Sequence, residues 1–403
     1  MRDVAREEWV LVLPLVALSA LSNAYIIVPA SVLPLVRRGL DIDATAAGWV
    51  VSAVFAAQIV SSVPAGVALD RFGARNLLGL AAAGLVAAGL WGTASAASGD
   101  YASLVASRLL GGTASIVVWN AGVTVIGAAF EAERRATAVG LFTAASPAGF
   151  ALGHLTGPLV AAVDWTAIFA VYALLAGFPL AVFWFGSTNA RTGADDARPE
   201  VVDSGSLGDV LSISSVRVLA PTAFAAMSVY VLLNSWTPTY LAEELGATLA
   251  TGGLVVAVLP AVGVLSRTGG GVVSDRLFGG RRRPVVALSF LVPLPLLAAL
   301  AGVSTLATAL LVLLLAGFFV QLAVGVLFTA AGELVEPSIA GTAVATVTAA
   351  GAVGSFTAPL VAGALIDATG SFLPAFGYGG LVGLVGLGLA YLLPEPGRRR
   401  GNE

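Results

Sequence analysis

The 403-residue chain has no cysteine and no lysine, a single histidine and two methionines. Without cysteine there is no disulfide, no thiolate nucleophile and no thiolate-ligated metal. Without lysine there is neither the phosphate-binding residue of a P-loop ATPase nor an amine for a retinal Schiff base. One histidine leaves no Ser/His/Asp triad or metal cluster in view, so no enzyme, metal site or cofactor is expected. Charge is also scarce. Charged residues make up 11% of the chain and hydrophobic residues 58%, with a mean hydropathy of +0.95. A soluble domain carries about 25% charged residues, so this chain lacks the polar surface to live in water. A net charge of −3 marks no nucleic-acid partner. The expected environment is a lipid bilayer.

Apolar runs long enough to cross a bilayer, which takes roughly 20 helical residues, recur twelve times. They fall at about 9–35, 46–69, 76–97, 102–129, 136–162, 165–186, 216–241, 249–273, 284–302, 306–331, 338–364 and 372–393. The first run contains Ala17-Leu-Ser-Ala20, which imitates a signal-peptide cleavage site, but it continues past Ala20 and reads as an uncleaved helix. An even number of spans puts both termini on one side. With that side cytoplasmic, only Arg37 and Arg38 fall in outer loops and Arg108 and Arg267 inside helices. The other sixteen of the twenty arginines lie on the inner side, as positive-inside bias requires. The polar stretch 188–215 reads as a mobile cytoplasmic linker between an N-terminal bundle, 1–187, and a C-terminal bundle, 216–403. The expected fold is all-α, with twelve transmembrane helices in two pseudo-symmetric six-helix bundles, monomeric in the cytoplasmic (plasma) membrane.

Internal repetition supports two related halves. Gly66-Val-Ala-Leu-Asp70-Arg71-Phe-Gly73-Ala-Arg75 ends the second span, and Gly271-Val-Val-Ser-Asp275-Arg276 ends the eighth, 205 residues later. At an offset of 201, Gly140, Gly153, Thr156, Pro158, Leu159 and Val160 fall on Gly341, Gly354, Thr357, Pro359, Leu360 and Val361. Repeated bundles are how alternating-access carriers are built.

On these motifs the chain resembles the major facilitator superfamily over nearly its whole length. Gly66, Asp70, Arg71, Gly73 and Arg75 match the family's loop-two signature, with Ala74 where a basic residue is common. Arg108-Leu-Leu-Gly-Gly112 is similar to its fourth-helix pattern. Gly149-x3-Gly153-x3-Gly157-Pro158 is similar to the antiporter signature but lacks its downstream Gly-Gly. Asp367-Ala-Thr-Gly-Ser-Phe resembles the usual stretch after the eleventh helix. The resemblance implies that the two Asp-Arg loops latch the cytoplasmic gate, the alternative being a static loop staple. It also implies a cavity lined by the first, fourth, seventh and tenth helices.

An ionisable group in lipid faces a cavity or a partner. Arg108 has two readings: a bidentate contact to a substrate carboxylate or phosphate, or a structural bond to first-helix backbone. Arg267, in Ser266-Arg267-x3-Gly271-x2-Ser274-Asp275, resembles the anion-binding arginine of oxalate/formate antiporters. Its alternative is a guanidinium reaching the interface. His154 stands as a proton relay or a buried packing histidine. Asn23, Trp119, Asn120, Tyr230, Asn234 and Gln321 are candidates to orient a substrate or to glue helices. No acidic residue sits well inside a span, so two arginines leave the interior positive. The expected function is a secondary carrier of a small anionic metabolite, moving by rocker-switch alternating access, with a counter-anion or proton as possible second solute. A multidrug exporter of lipophilic compounds and a non-transporting receptor on the same fold are the alternatives.

Overall fold

Backbone N–H and C=O groups in hydrocarbon find no water, so a spanning segment must pair them internally, and the apolar runs fold as helices. The computed structural model describes residues 2–130, 132–187, 207–300, 302–336 and 339–395. Among these, twelve helices are long and apolar enough to cross a membrane. They are α1 (Arg2–Ser31), α2 (Ala44–Phe72), α3 (Ala74–Ser98), α4 (Tyr101–Ala129), α5 (Ala132–Ala161) and α6 (Ile168–Ser187). The second six are α7 (Ser214–Glu243), α8 (Leu249–Leu277), α9 (Arg283–Leu300), α10 (Leu306–Glu333), α11 (Ala340–Thr369) and α12 (Leu373–Leu392). We call the end holding the α1–α2, α7–α8 and α11–α12 connections distal, and the other end, with Arg2 and Glu395, proximal.

Side-chain caps mark most distal helix starts. Asp43 accepts the Ala46 N–H at α2 and Asp100 the Ser103 N–H at α4, while Thr248 and Thr305 do the same at α8 and α10. Each satisfies a donor that the first helical turn leaves open.

Three sequence expectations shift. The first span stops at Ser31, and Leu33–Leu40 forms a separate short helix with proline in its first turn, because Pro34 cannot donate into a continuous helix. Arg37 and Arg38 therefore lie on that helix and not in an open loop. The ninth span is interrupted at Val292 by Pro293. Of the expected linker, 188–206 lies outside the described residues, but Leu207–Ser212 is helical. There Val210 is buried against Val216 and Ala343, which holds the segment in place.

Packing repeats with the sequence. In the first bundle α1 packs on α5 and α6, α2 on α4, and α3 on α4 and α6. In the second, α7 packs on α11 and α12, α8 on α10, and α9 on α10 and α12. The bundles meet mainly along α2–α11 and α5–α8. A Cβ on Gly48 of α2 would lie 2.7 Å from the Pro359 carbonyl of α11, so a bare glycine is what lets those two helices close.

Candidate functional site

Arg108, in the distal third of α4, is 0% exposed. Its Nε donates to the Val50 carbonyl at 3.0 Å, Nη1 to Tyr25 at 2.9 Å and Nη2 to Ile26 at 2.6 Å. The guanidinium also lies 4.6 Å from the Tyr25 ring centroid. The Tyr25 bond has a cause in the sequence. Four residues on stands Pro29, which has no N–H to return, so Arg108 supplies the missing donor. All three guanidinium nitrogens are thus tied to α1 and α2, and in this structure the residue presents nothing to a solute. The bidentate substrate contact expected of Arg108 is absent, and the structural alternative describes its geometry.

Arg267, in the proximal half of α8, is placed differently. Its Nε donates to Gln321 Oε1 of α10 at 3.1 Å, and its guanidinium carbon lies 5.7 Å from the Tyr230 ring of α7. Among the described residues its two Nη groups have no protein partner, and neither is sealed from solvent. Around it the Gln321 Nε2 and Tyr230 hydroxyl are buried without a hydrogen bond of good geometry, although Gln321 and Asn234 lie near that hydroxyl. Gly263 makes room for the amide, since a Cβ there would lie 2.7 Å from Gln321 Nε2. Three helices therefore converge on a half-buried cation with two idle donors beside it.

Of the other candidates, Asn234 and His154 connect to Tyr230, whereas Asn23, Trp119 and Asn120 lie in the N-terminal bundle. The Tyr230 ring stacks on Phe150 of α5 at 5.7 Å, bridging the bundles at mid-depth. Asn234 gives Nδ2 to the Tyr230 carbonyl at 2.8 Å, and its Oδ1 faces His154 Nε2 at 3.2 Å. An amide oxygen only accepts, so Nε2 is the protonated nitrogen. His154 is fully buried and its Nδ1 has no partner. It joins α5 to α7 and presents no face to solvent. Asn23 is glue between α1 and α5: its Nδ2 binds the Ser19 carbonyl and its Oδ1 accepts from Ser146. Trp119 packs on Phe142 at 5.3 Å. Asn120 is half-buried and its side chain has no protein partner among the described residues. Arg108 is not brought to Arg267; the two sit at different depths on different bundles.

The two Asp-Arg loops differ. Asp70 and Arg71 are exposed, Asp70 makes no bond among the described residues, and Arg71 lies over the Phe72 ring. Gly73 turns the chain at φ 76°, a value that favours glycine. Arg75 stacks on Trp184 at 4.6 Å. A Cβ at Gly66 or Gly271 would meet nothing. In the second copy Asp275 is paired, at 2.8 Å, with Arg282 and not with Arg276, because Arg276 points outward from the last turn of α8. Arg282 also forks onto Glu333 at 2.8 and 3.1 Å. That hydrogen bond, foremost among several causes, holds the Arg282 pKa above its ordinary value despite partial burial.

Sequence reasoning missed that cluster and two distal joins. Asp367, at the end of α11, accepts the Ala44 and Thr45 N–H groups of α2 at 2.8 and 2.7 Å and the Thr45 hydroxyl at 2.5 Å. Arg37 pairs with Glu243 at 3.3 Å across the same end. Among the described residues, the hydrogen bonds and ion pairs between bundles are these and the His154–Asn234 contact. At the other end α2 presents Val60 and Val63, each 76% exposed.

Comparison with known proteins agrees with this architecture. Residues 13–357 match the Major Facilitator Superfamily model. The chain is 26% identical over 392 residues to the hexuronate transporter of Bacillus subtilis (strain 168), covering 92% of this chain and 91% of that one. It is also 26% identical to the 3-(3-hydroxy-phenyl)propionate transporter of Escherichia coli (strain K12), covering 82% and 80%. A solved bacterial homolog of the human lysosomal transporter Spinster, inward-facing and unoccupied, superposes with a TM-score of 0.75 at 14% identity, covering 97% and 96%. Twelve spanning helices in paired bundles and a family match over most of the length lead to one assignment: the chain belongs to the Major Facilitator Superfamily and is a multi-pass membrane transporter of small solutes.

Proposed function

We propose that this protein is a secondary-active carrier of a small organic anion, bound at Arg267 and moved by alternating access. The observation that carries the reading is that, among the described residues, both Arg267 Nη groups lack a protein partner beside the Tyr230 hydroxyl and Gln321 Nε2, neither of which makes a hydrogen bond of good geometry. A carboxylate accepts two parallel N–H bonds from a guanidinium fork, and the neighbouring donors fit its remaining lone pairs. The names of the relatives, a hexuronate and a hydroxyphenylpropionate transporter, lean the same way. The distal joins make the distal gate the closed one here, and the unengaged Asp70 fits a proximal gate released from its latch. Arginine bias puts the proximal side in the cytoplasm of a cell bounded by this membrane. Gly66, Asp70, Arg71, Gly73 and Arg75, with Gly271, Asp275 and Arg276, serve gating and do not touch solute. Energy comes from a gradient of the solute or of a co-transported ion.

The test is a thermal-shift screen of the purified protein against sugar acids, aryl carboxylates and lipophilic cations. A ligand at 100 times its Kd stabilises by about 2.7 kcal/mol. Stabilisation by one carboxylate class, lost in Arg267→Gln, is the expected result. Stabilisation by lipophilic cations alone overturns the reading in favour of a multidrug exporter.

A further inference from the structure

Two arginines lie inside the spans, yet the geometry leaves only one of them for a solute. Arg108 is 0% exposed with Nε, Nη1 and Nη2 all on backbone carbonyls. His154 is fully covered, with its Nε2 on Asn234. Arg267 is the half-buried cation with open donors. The candidate side chains of the N-terminal bundle are uncharged: Asn23 bonded to Ser146, Trp119 on Phe142, and half-buried Asn120.

Resting on the anion-carrier reading above, we propose that the site selects solutes with a single anionic group. The C-terminal bundle grips the charge through Arg267, Tyr230 and Gln321, and the uncharged remainder faces the uncharged side chains of the N-terminal bundle. A second carboxylate on the same skeleton would find no free cation to meet it among the embedded side chains described. Its desolvation is then uncompensated, which works against dianions even though they carry more charge. Specificity here is rejection of the second charge as much as attraction of the first.

Two charge series on fixed skeletons test this in the purified, full-length protein. One is glucitol, gluconate and glucarate, bearing zero, one and two carboxylates. The other is 3-phenylpropionamide, 3-phenylpropionate and phenylsuccinate. Dissociation constants come from thermal shift at neutral pH and constant ionic strength. In each series that responds, the monoanion should bind about tenfold or more tightly than both its neutral and its dianionic analogues. Arg267→Gln should erase that preference while its ligand-free thermal midpoint reports that it folds. A dianion binding as tightly as its monoanion, or more so, overturns single-charge selection and leaves the anion carrier standing. No response in either series overturns the anion carrier itself, and this inference with it.

Discussion

Arg108 and Arg267 are the same residue type, each on an apolar helix, and nothing in the local sequence separates them. What separates them is who faces them. Pro29 leaves the Tyr25 carbonyl open and Arg108 closes it, a relation the sequence contains but which only the α1–α4 contact reveals. Arg267 meets a glutamine and a tyrosine ring, which cannot use all its donors. Substitutions should therefore part the two arginines cleanly. Arg108→Lys keeps the charge but reaches at most one of three carbonyls, and buried acceptors left open are costly. We expect it to lose about 3 kcal/mol of stability, read as a lower unfolding midpoint in detergent, with anion affinity of the folded fraction unchanged. Arg267→Lys should do the reverse: a near-native midpoint, with anion affinity down about tenfold because a point charge replaces a fork. Equal affinity loss in both variants would contradict this division. His154 follows the Arg108 pattern, since it is enclosed and bonded to Asn234. His154→Gln should leave the pH profile of transport in proteoliposomes unaltered; a displaced profile would make the histidine a proton relay.

The helices themselves were the legible part. Twelve apolar runs became twelve spans with most ends within a few residues, because in lipid the hydrogen-bond requirement leaves an apolar run little choice, and because Asp43, Asp100, Thr248 and Thr305 write their caps into the sequence. The breaks at Val32 and Val292 were less visible, since proline interrupts some membrane helices and not others: Pro14 and Pro29 pass through α1. The joins between elements were not legible at all. Asp367 was noticed only as part of a familiar stretch, yet it is the carboxylate that caps α2 from the other bundle. Three hydrogen bonds from a carboxylate to a helix start, favoured by the helix dipole, hold the distal seam of α2 and α11. Asp367→Ala should loosen that seam and shift the balance towards the distal-open form by about tenfold or more. The native chain has no cysteine, so a single reporter such as Gly252→Cys on α8 gives a clean reading. Its labelling by a membrane-impermeant maleimide should rise in the Asp367→Ala background. Unchanged labelling would reduce the contact to decoration.

At the scale of the whole molecule, the repeat gives two bundles packed alike but not two seams closed alike. The α2–α11 seam is fastened by Asp367 and flanked by the Arg37–Glu243 pair. The α5–α8 seam carries no such carboxylate among the described residues. There Gly253 lets α8 lie against the His154 and Pro158 backbone and ring. The proximal motifs are likewise unequal, with Asp275 held by Arg282 inside its own bundle and Asp70 unpaired among the described residues. On the alternating-access reading, one set of residues serves every state and only one state shows which bonds are made, so a sequence read once cannot show this. It follows that motion should concentrate where polar fasteners can break, at α2 and α11. A pair of cysteines at Thr45 and Asp367, whose side chains already touch, should form a disulfide on oxidation and hold the distal gate shut. Solute flux in proteoliposomes should then stop, while binding to detergent-solubilised protein persists through the proximal opening. Reductant should restore flux, since no other cysteine exists to pair wrongly. Undiminished flux with the crosslink verified would mean that α2 and α11 stay together throughout transport, and the alternating-access reading would have to be abandoned for this seam.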